Sequence, residues 1–146
     1  MNSKPENNKA VENTKAQMRK GVLEMCILSI IAEAKEAYPS DILTKIENMS
    51  DNTSNEKLIV KQGTLYPLLA RMKKAGWLHY TWKESDQGPP RKYYHITEEG
   101  STFLSLLFGA WKDLVNVVNL STQSLQSPKK KATKSKKTTT KSDSTS

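Results

Sequence analysis

With 146 residues, 36% apolar and 26% charged, the chain is sized for one small domain with polar material outside its core. Its one cysteine, Cys26, excludes an intrachain disulfide and suits a reducing compartment. The formal charge of +8 is uneven: residues 127–146 hold seven lysines and one aspartate, and residues 1–17 three lysines and two glutamates, so overall basicity alone does not mark the folded part as a nucleic-acid binder.

Residues 1–15 are polar and read as a disordered arm. A first helix is predicted from about Thr14 to Ala34. Its apolar residues Met18, Val22, Leu23, Met25, Cys26, Ile27, Leu28, Ile30 and Ile31 wrap most of the cylinder, as in a helix buried on more than one side. The apolar run starts only near Val22, so no secretory signal is read, and it falls short of the roughly 20 residues a membrane span needs. Ala37-Tyr38-Pro39 is a break. Ser40 is placed as the N-cap of a second helix, with Asp41 in the first turn and a stripe of Ile42, Leu43, Ile46 and Met49. A polar loop over 50–57 precedes Leu58-Ile59-Val60.

The third helix is predicted from about Gly63 to Ala75. Leu65, Leu68, Leu69 and Met72 form its buried stripe, and Gly76 is placed to end it. Thr64, Pro67, Arg71 and Lys74 fall away from that stripe, with Tyr66 and Lys73 on the other flank. Two alternating runs follow: Trp77 to Lys83, with Leu78, Tyr80 and Trp82 on one side, and Arg91 to Thr97, with Tyr94 and Ile96 inward. They form a hairpin, and Pro89 and Pro90 predict a long, stiff loop over 84–90. Thr97 caps a fourth helix that runs to about Leu120. Leu104, Phe108, Trp111, Val115 and Val118 recur at heptad spacing along it, widened by Phe103, Leu107 and Leu114. So much apolar surface on one helix predicts a second subunit, with Leu104, Leu107, Phe108, Trp111, Leu114, Val115 and Val118 at the dimer interface. From Ser127 the chain is low-complexity Lys, Ser and Thr.

Helix, strand, basic loop, strand is the layout of a winged helix. The fold class predicted is mainly α with a small β-hairpin. A disordered arm over 1–15 leads into a winged helix-turn-helix DNA-binding domain over 16–96. A dimerisation helix over 97–121 and a disordered tail over 122–146 complete the chain. Groove recognition needs small or polar residues where a helix approaches the bases, and cations within reach of phosphates. The candidates are Lys61, Gln62, Gly63, Thr64, Tyr66, Pro67, Arg71 and Lys74 on the third helix, and Arg91 and Lys92 on the wing. Their plainer reading is ordinary solvated surface. Chemistry has little support. His79 and His95 sit in the hairpin without partners at metal-ligand spacing, Cys26 reads as a core residue, and Glu98 and Glu99 as first-turn helix charges. No catalytic residue, metal or cofactor is expected.

Gly63-Thr-Leu-Tyr-Pro-Leu-Leu-Ala-Arg-Met, Gly76-Trp-Leu and Gly88-Pro-Pro-Arg-Lys-Tyr-Tyr-His-Ile-Thr…Gly100 resemble the signature segments of PadR-type transcriptional regulators. Arg19-Lys-Gly-Val-Leu-Glu…Ile27-Leu resembles their first helix, and the likeness covers about residues 16 to 120. It departs at Tyr38-Pro39-Ser40 and at Lys61-Gln62, where the family commonly has Tyr-Gly-Tyr and Ser-Pro, and the lysine tail has no counterpart. The resemblance implies a cytoplasmic, homodimeric winged-helix repressor on operator DNA, of the short type whose single final helix is the dimer arm. Phe108-Gly-Ala-Trp111 also resembles a segment of a multidrug-binding member in which a tryptophan from each subunit stacks flat aromatic molecules. That makes Leu104, Phe108 and Trp111 candidates for a small aromatic effector; the competing reading is plain dimer packing. Ser127-Pro-Lys-Lys-Lys131 is similar to basic motifs that lie in A·T-rich minor grooves, beside the reading as a solubilising end. The rival function is a winged-helix module for protein interaction without a DNA site. No membrane association is expected.

Overall fold

Pro5 opens the first helix in the computed structural model, which describes residues 4–51 and 60–126. This helix, α1 (Pro5–Ala34), corrects the disordered arm expected over 1–15 from Pro5 onward, and the start near Thr14; residues 1–3 lie outside the described residues. Proline at the first helical position loses no intrahelical donor, Glu6 suits the positive helix end, and Lys15 pairs with Glu12 one turn back at 3.2 Å. The polar composition that resembled disorder is that of a helix exposed all round. α1 becomes apolar only from Leu23, and Leu23, Ile27, Leu28, Ile30 and Ile31 are buried.

Lys35 follows in the left-handed region at φ 66 and turns the chain into an extended step. α2 (Pro39–Asp51) then starts two residues earlier than expected. The first-turn amides of Asp41 and Ile42 point to the carbonyl of Tyr38, so Tyr38 is the capping residue, Pro39 takes the first helical position and Ser40 lies inside the helix. Ile42 and Ile46 are buried, and Met49 is exposed. Ser50, expected in the loop, sits in the last turn with its hydroxyl donating to the Ile46 carbonyl at 2.9 Å. The rest of that loop lies outside the described residues.

α3 (Gln62–Lys74) buries Leu65, Leu69 and Met72, with Leu68 half-buried beside them. At its end the Gly76 amide reaches the Lys73 carbonyl and the Trp77 amide the Met72 carbonyl, both at 3.0 Å. This paired closure needs a left-handed residue, and Gly76 supplies it at φ 84.

β1 (Leu78–Ser85) and β2 (Gly88–Ile96) pair antiparallel, with Leu78 opposite Ile96, Tyr80 opposite Tyr94 and Trp82 opposite Lys92. The long loop expected over 84–90 is absent. Asp86 and Gln87 alone make the turn, and a register shift between Lys83 and Ser85 takes up the extra residue. Pro89 and Pro90 lie inside β2 near the tip, where a two-stranded ribbon leaves an edge that needs no donor. Ala37 bridges β2 from the other side: its amide donates to the Tyr94 carbonyl at 3.0 Å, and the Tyr94 amide returns a bond at 2.8 Å.

α4 (Glu98–Ser121) starts where Thr97 joins two ends of the fold. The Thr97 hydroxyl donates to the Gly76 carbonyl at 2.6 Å and accepts from the Gly100 amide at 2.9 Å, and its own amide donates to the Trp77 carbonyl at 3.0 Å. Trp77 and Phe103 stack with centroids 3.7 Å apart and an interplanar angle of 7°. The core lies among α1, α2, α3 and the inner hairpin face. Ile27, Leu28, Ile31, Ile42, Leu65, Leu69, Met72 and Leu78 are its fully buried side chains, each worth roughly 1.5–3 kcal/mol of transfer.

The chain divides into residues 1–111 and residues 112–146. In the second unit, helical structure continues to Ser121, and α5 (Gln123–Gln126) adds one turn, with the Gln126 side chain donating to the Asn119 carbonyl at 3.3 Å. The disorder expected from residue 122 is therefore corrected up to Gln126. The lysine-rich remainder lies outside the described residues.

Candidate nucleic-acid interface

With Leu65, Leu69 and Met72 buried, the 100° step of a helix turns Gly63, Pro67, Ala70 and Lys74 directly outward on α3, and all four are exposed. Three of them are small. A Cβ built on Gly63 would meet nothing within 4 Å, so no internal contact demands glycine there. Pro67 sits beyond the first turn and leaves a backbone carbonyl one turn back without its usual donor.

The two flanks of this ridge differ. On one, Thr64 and Arg71 face α1, where Arg71 forms an ion pair with Glu24. On the other, Gln62, Tyr66 and Lys73 face the hairpin. Tyr66 is 49% exposed. Burial pushes the phenol of Tyr94 upward, and the neighbouring Tyr80 and Tyr66 add to that shift, which places Tyr66 on the wing side. Lys61, exposed and extended at ψ 155, precedes the helix and receives the Thr64 amide on its carbonyl at 2.9 Å.

The hairpin does not bring Arg91 and Lys92 to one face, because adjacent strand residues point oppositely. Lys92 lies on the inner face with Tyr80 and Trp82, its ammonium 4.6 Å and 5.2 Å from their ring centroids. Arg91 lies on the outer face, its guanidinium 4.9 Å from the Tyr38 ring. That outer face also carries Lys83, which pairs with Glu36; this hydrogen bond and the ammonium charge hold the Glu36 carboxyl below its usual range. His79 and His95 stack there at 4.9 Å, and Thr81 Oγ1 lies 3.0 Å from His95 Nε2. Trp82, on the same side of the strand as the buried Leu78, is 60% exposed. The reason is length: α3 ends at Lys74, Lys73 covers Tyr80 at 4.5 Å, and the strand runs on past the last helical turn.

Tyr38 as the platform for Arg91, and Lys73 and Trp82 beside Lys92, are neighbours that alternation alone leaves unassigned, since they depend on register and on the Ala37 bridge. Arg71→Ala is expected to cost at most about 1 kcal/mol of stability, because its pair with Glu24 is partly solvated. It is also expected to change the salt dependence of DNA binding less than Lys74→Ala does. Urea melts and salt titrations check both, and equal effects of the two variants would show Arg71 acting outside its ion pair.

On α4, Leu104 is half-buried and packs against the domain core. Phe108 and Trp111 are exposed at 51% and 38%, and they border an apolar cavity of about 430 Å³ with Met25, Cys26, Ile30 and Met49. Leu104 is not among its lining residues. Leu107 and Val115 are half-buried, while Leu114 and Val118 are exposed. Burial pushes the Cys26 thiol up, away from the reactive thiolate. Among the described residues, no group of three or more His, Cys, Asp and Glu side chains is placed to hold a metal.

Three helices, a two-stranded wing and a following helix define a winged helix-turn-helix protein. The sequence profile of the transcriptional regulator PadR-like family matches residues 27–106. The chain belongs to that family, one of DNA-binding transcriptional regulators and not of enzymes. It is similar to a PadR-like transcription factor from Bacteroides fragilis, with 48% identity, 73% of this chain and 96% of that one covered, and a TM-score of 0.59. It also resembles a PadR-like transcriptional regulator from Bacillus cereus, at 39% identity over 77% and 99% of the chains and a TM-score of 0.61. An uncharacterised protein of Lysinibacillus sphaericus is 30% identical over 107 residues, 73% of this chain and 94% of that one.

Proposed function

We propose that the chain is a homodimeric repressor that seats α3 in the major groove of an operator and sets its hairpin against the flanking backbone. The observation that carries this reading is the outward ridge of Gly63, Pro67 and Ala70, small and unobstructed, between Thr64 on one flank and Tyr66 on the other. Small side chains let a helix backbone approach base edges, and Lys61, Gln62, Lys74 and Lys92 are the polar and cationic groups this reading assigns to base edges or phosphates. The test is an electrophoretic shift with the DNA upstream of the chain's own gene. Tyr66→Ala and Arg91→Ala should weaken the specific complex. Unchanged binding by both would favour the rival, a winged helix used for protein interaction.

The dimer rests on α4. Its exposed Phe108, Trp111 and Val118 stand at heptad spacing with the half-buried Val115, and the exposed Leu114 lies beside them, the pattern of a helix facing another helix. By length and composition alone α4 also meets the requirement for a membrane span. Lys112 and Asp113 in mid-helix favour a protein partner in the cytoplasm.

Release by a small aromatic effector is a second part of the proposal, supported by the apolar cavity beside Phe108 and Trp111. A planar cationic dye should quench tryptophan fluorescence of the intact chain, and Trp111→Ala should lose most of that quenching. Equal quenching in the variant would remove the site. The tail is proposed to add sequence-independent affinity, since two copies bring roughly a dozen positive charges to one DNA. Deleting residues 127–146 is expected to flatten the plot of log affinity against log salt while operator preference stays; an unchanged slope would end this role.

A further inference from the structure

The outer end of the α3–hairpin junction gathers cations that the groove-facing ridge does not account for. Lys73 of α3 and Lys92 of β2 hold their ammonium groups 4.5 Å and 4.6 Å from the centroid of one ring, Tyr80. Lys92 also lies 5.2 Å from Trp82, whose ring meets Tyr80 edge-on at 6.0 Å. Two other cations nearby are matched: Arg71 with Glu24 and Lys83 with Glu36. Among the described residues, Lys73 and Lys92 form no ion pair with a carboxylate.

Both ammonium groups lie close to the centre of one ring, and neither meets a carboxylate among the described residues, so one anion from outside can serve both. The plate also limits the freedom of both lysine chains before anything binds, so less is lost on binding. Lys73 shares its flank of α3 with Gln62 and Tyr66, so an anion there lies on the side of the helix that the proposed groove contact uses. We infer that Lys73 and Lys92, seated on Tyr80 and bordered by Trp82, form a clamp for one backbone phosphate of duplex DNA. This rests on the DNA-binding reading above. It adds Lys73, Tyr80 and Trp82 to the interface and assigns Lys92 to the same phosphate as Lys73, not to an independent contact.

The experiment measures affinity of the intact chain by fluorescence anisotropy across a salt series, using the duplex upstream of its own gene and a shuffled duplex of equal length. A shared phosphate remains neutralised when one lysine is left. Lys73→Gln and Lys92→Gln are each expected to weaken both complexes several-fold with nearly unchanged salt slope. The double variant is expected to lose about 0.9 from the slope, one phosphate's worth. Trp82→Ala, at an exposed position that does not endanger the fold, should weaken binding to both duplexes, whereas Lys45→Gln on α2 should change nothing. A slope unchanged in the double variant overturns the clamp, and a loss of about 1.8 overturns the sharing by showing two separate phosphates. Failure of the unaltered chain to bind either duplex would defeat the DNA reading itself. Binding by the unaltered chain with an unaffected double variant defeats the clamp alone.

Discussion

Gly100→Ala is expected to lower stability by roughly 3 kcal/mol, the upper end of ordinary overpacking. A Cβ at this position would lie 2.1 Å from the Trp77 carbonyl oxygen and 2.8 Å from Ile96 Cγ1. The first of these is backbone, fixed by the closure of α3 and by the bond from the Thr97 amide, so it has little room to retreat. Relief requires moving the start of α4 away from Trp77 and the end of β2, which would also pull the Thr97 hydroxyl from the Gly76 carbonyl and open the Trp77–Phe103 stack. For a domain of this size the melting temperature should fall by more than about 10 °C. Gly21→Ala is the matched control: it is exposed in α1 with nothing within 4 Å of the added carbon, and should be neutral or stabilising by about 0.5–1 kcal/mol. A Gly100→Ala protein that melts with the parent would mean that α4 is not seated on Trp77 and Ile96 in this way.

Gly63→Leu is expected to leave folding intact and to weaken operator binding about a hundredfold, since losing one or two base-edge contacts costs roughly 1–3 kcal/mol each and 1.4 kcal/mol is tenfold. The added side chain meets open space inside the protein, and leucine favours a helix more than glycine does, so the melting temperature should hold or rise. Only an object approaching from outside would find the position blocked. Thermal melts and anisotropy titrations on the same preparation separate the two effects. Operator affinity unaltered in a well-folded variant would remove the α3 ridge from the DNA-binding surface.

The α3 segment was legible because several signals agree: a buried stripe at helical spacing, glycine at the stop, and alternation immediately after. Thr97 was legible for the same reason, standing between a strand pattern and two first-turn glutamates. The misreadings share a physical origin in features that do not depend on burial. Residues 5–15 form a helix without touching the core, so apolar periodicity had nothing to mark. Ser40 and Pro39 are adjacent start signals, and proline's missing donor decided between them. Asp86 and Gln87 make a two-residue turn that the prolines argued against, because the bulge beside it absorbs the mismatch. On the wing, period two separates Arg91 from Lys92 whatever the register. Which of them turns toward α3 required the pairing of Trp82 with Lys92, a fact of three dimensions. The two signature segments co-occur in sequence for a reason visible only in space: Gly76 and Trp77 of one are bonded to Thr97 and crowd Gly100 of the other.

The two short bonds between Ala37 and Tyr94 carry a further consequence. They make the connection from α1 to α2 a third rung of the sheet, so the end of α1 and the wing are mechanically one piece. The cavity beside Phe108 is walled by that same end of α1, from Met25 to Glu33. Anything wedged there that displaces α1 along its axis has a stiff covalent and hydrogen-bonded path of only a few residues to β2. Such a push would reach Arg91 on its Tyr38 platform, and it would carry with it Ile27, Leu28, Ile30 and Ile31, the residues α1 contributes to the core.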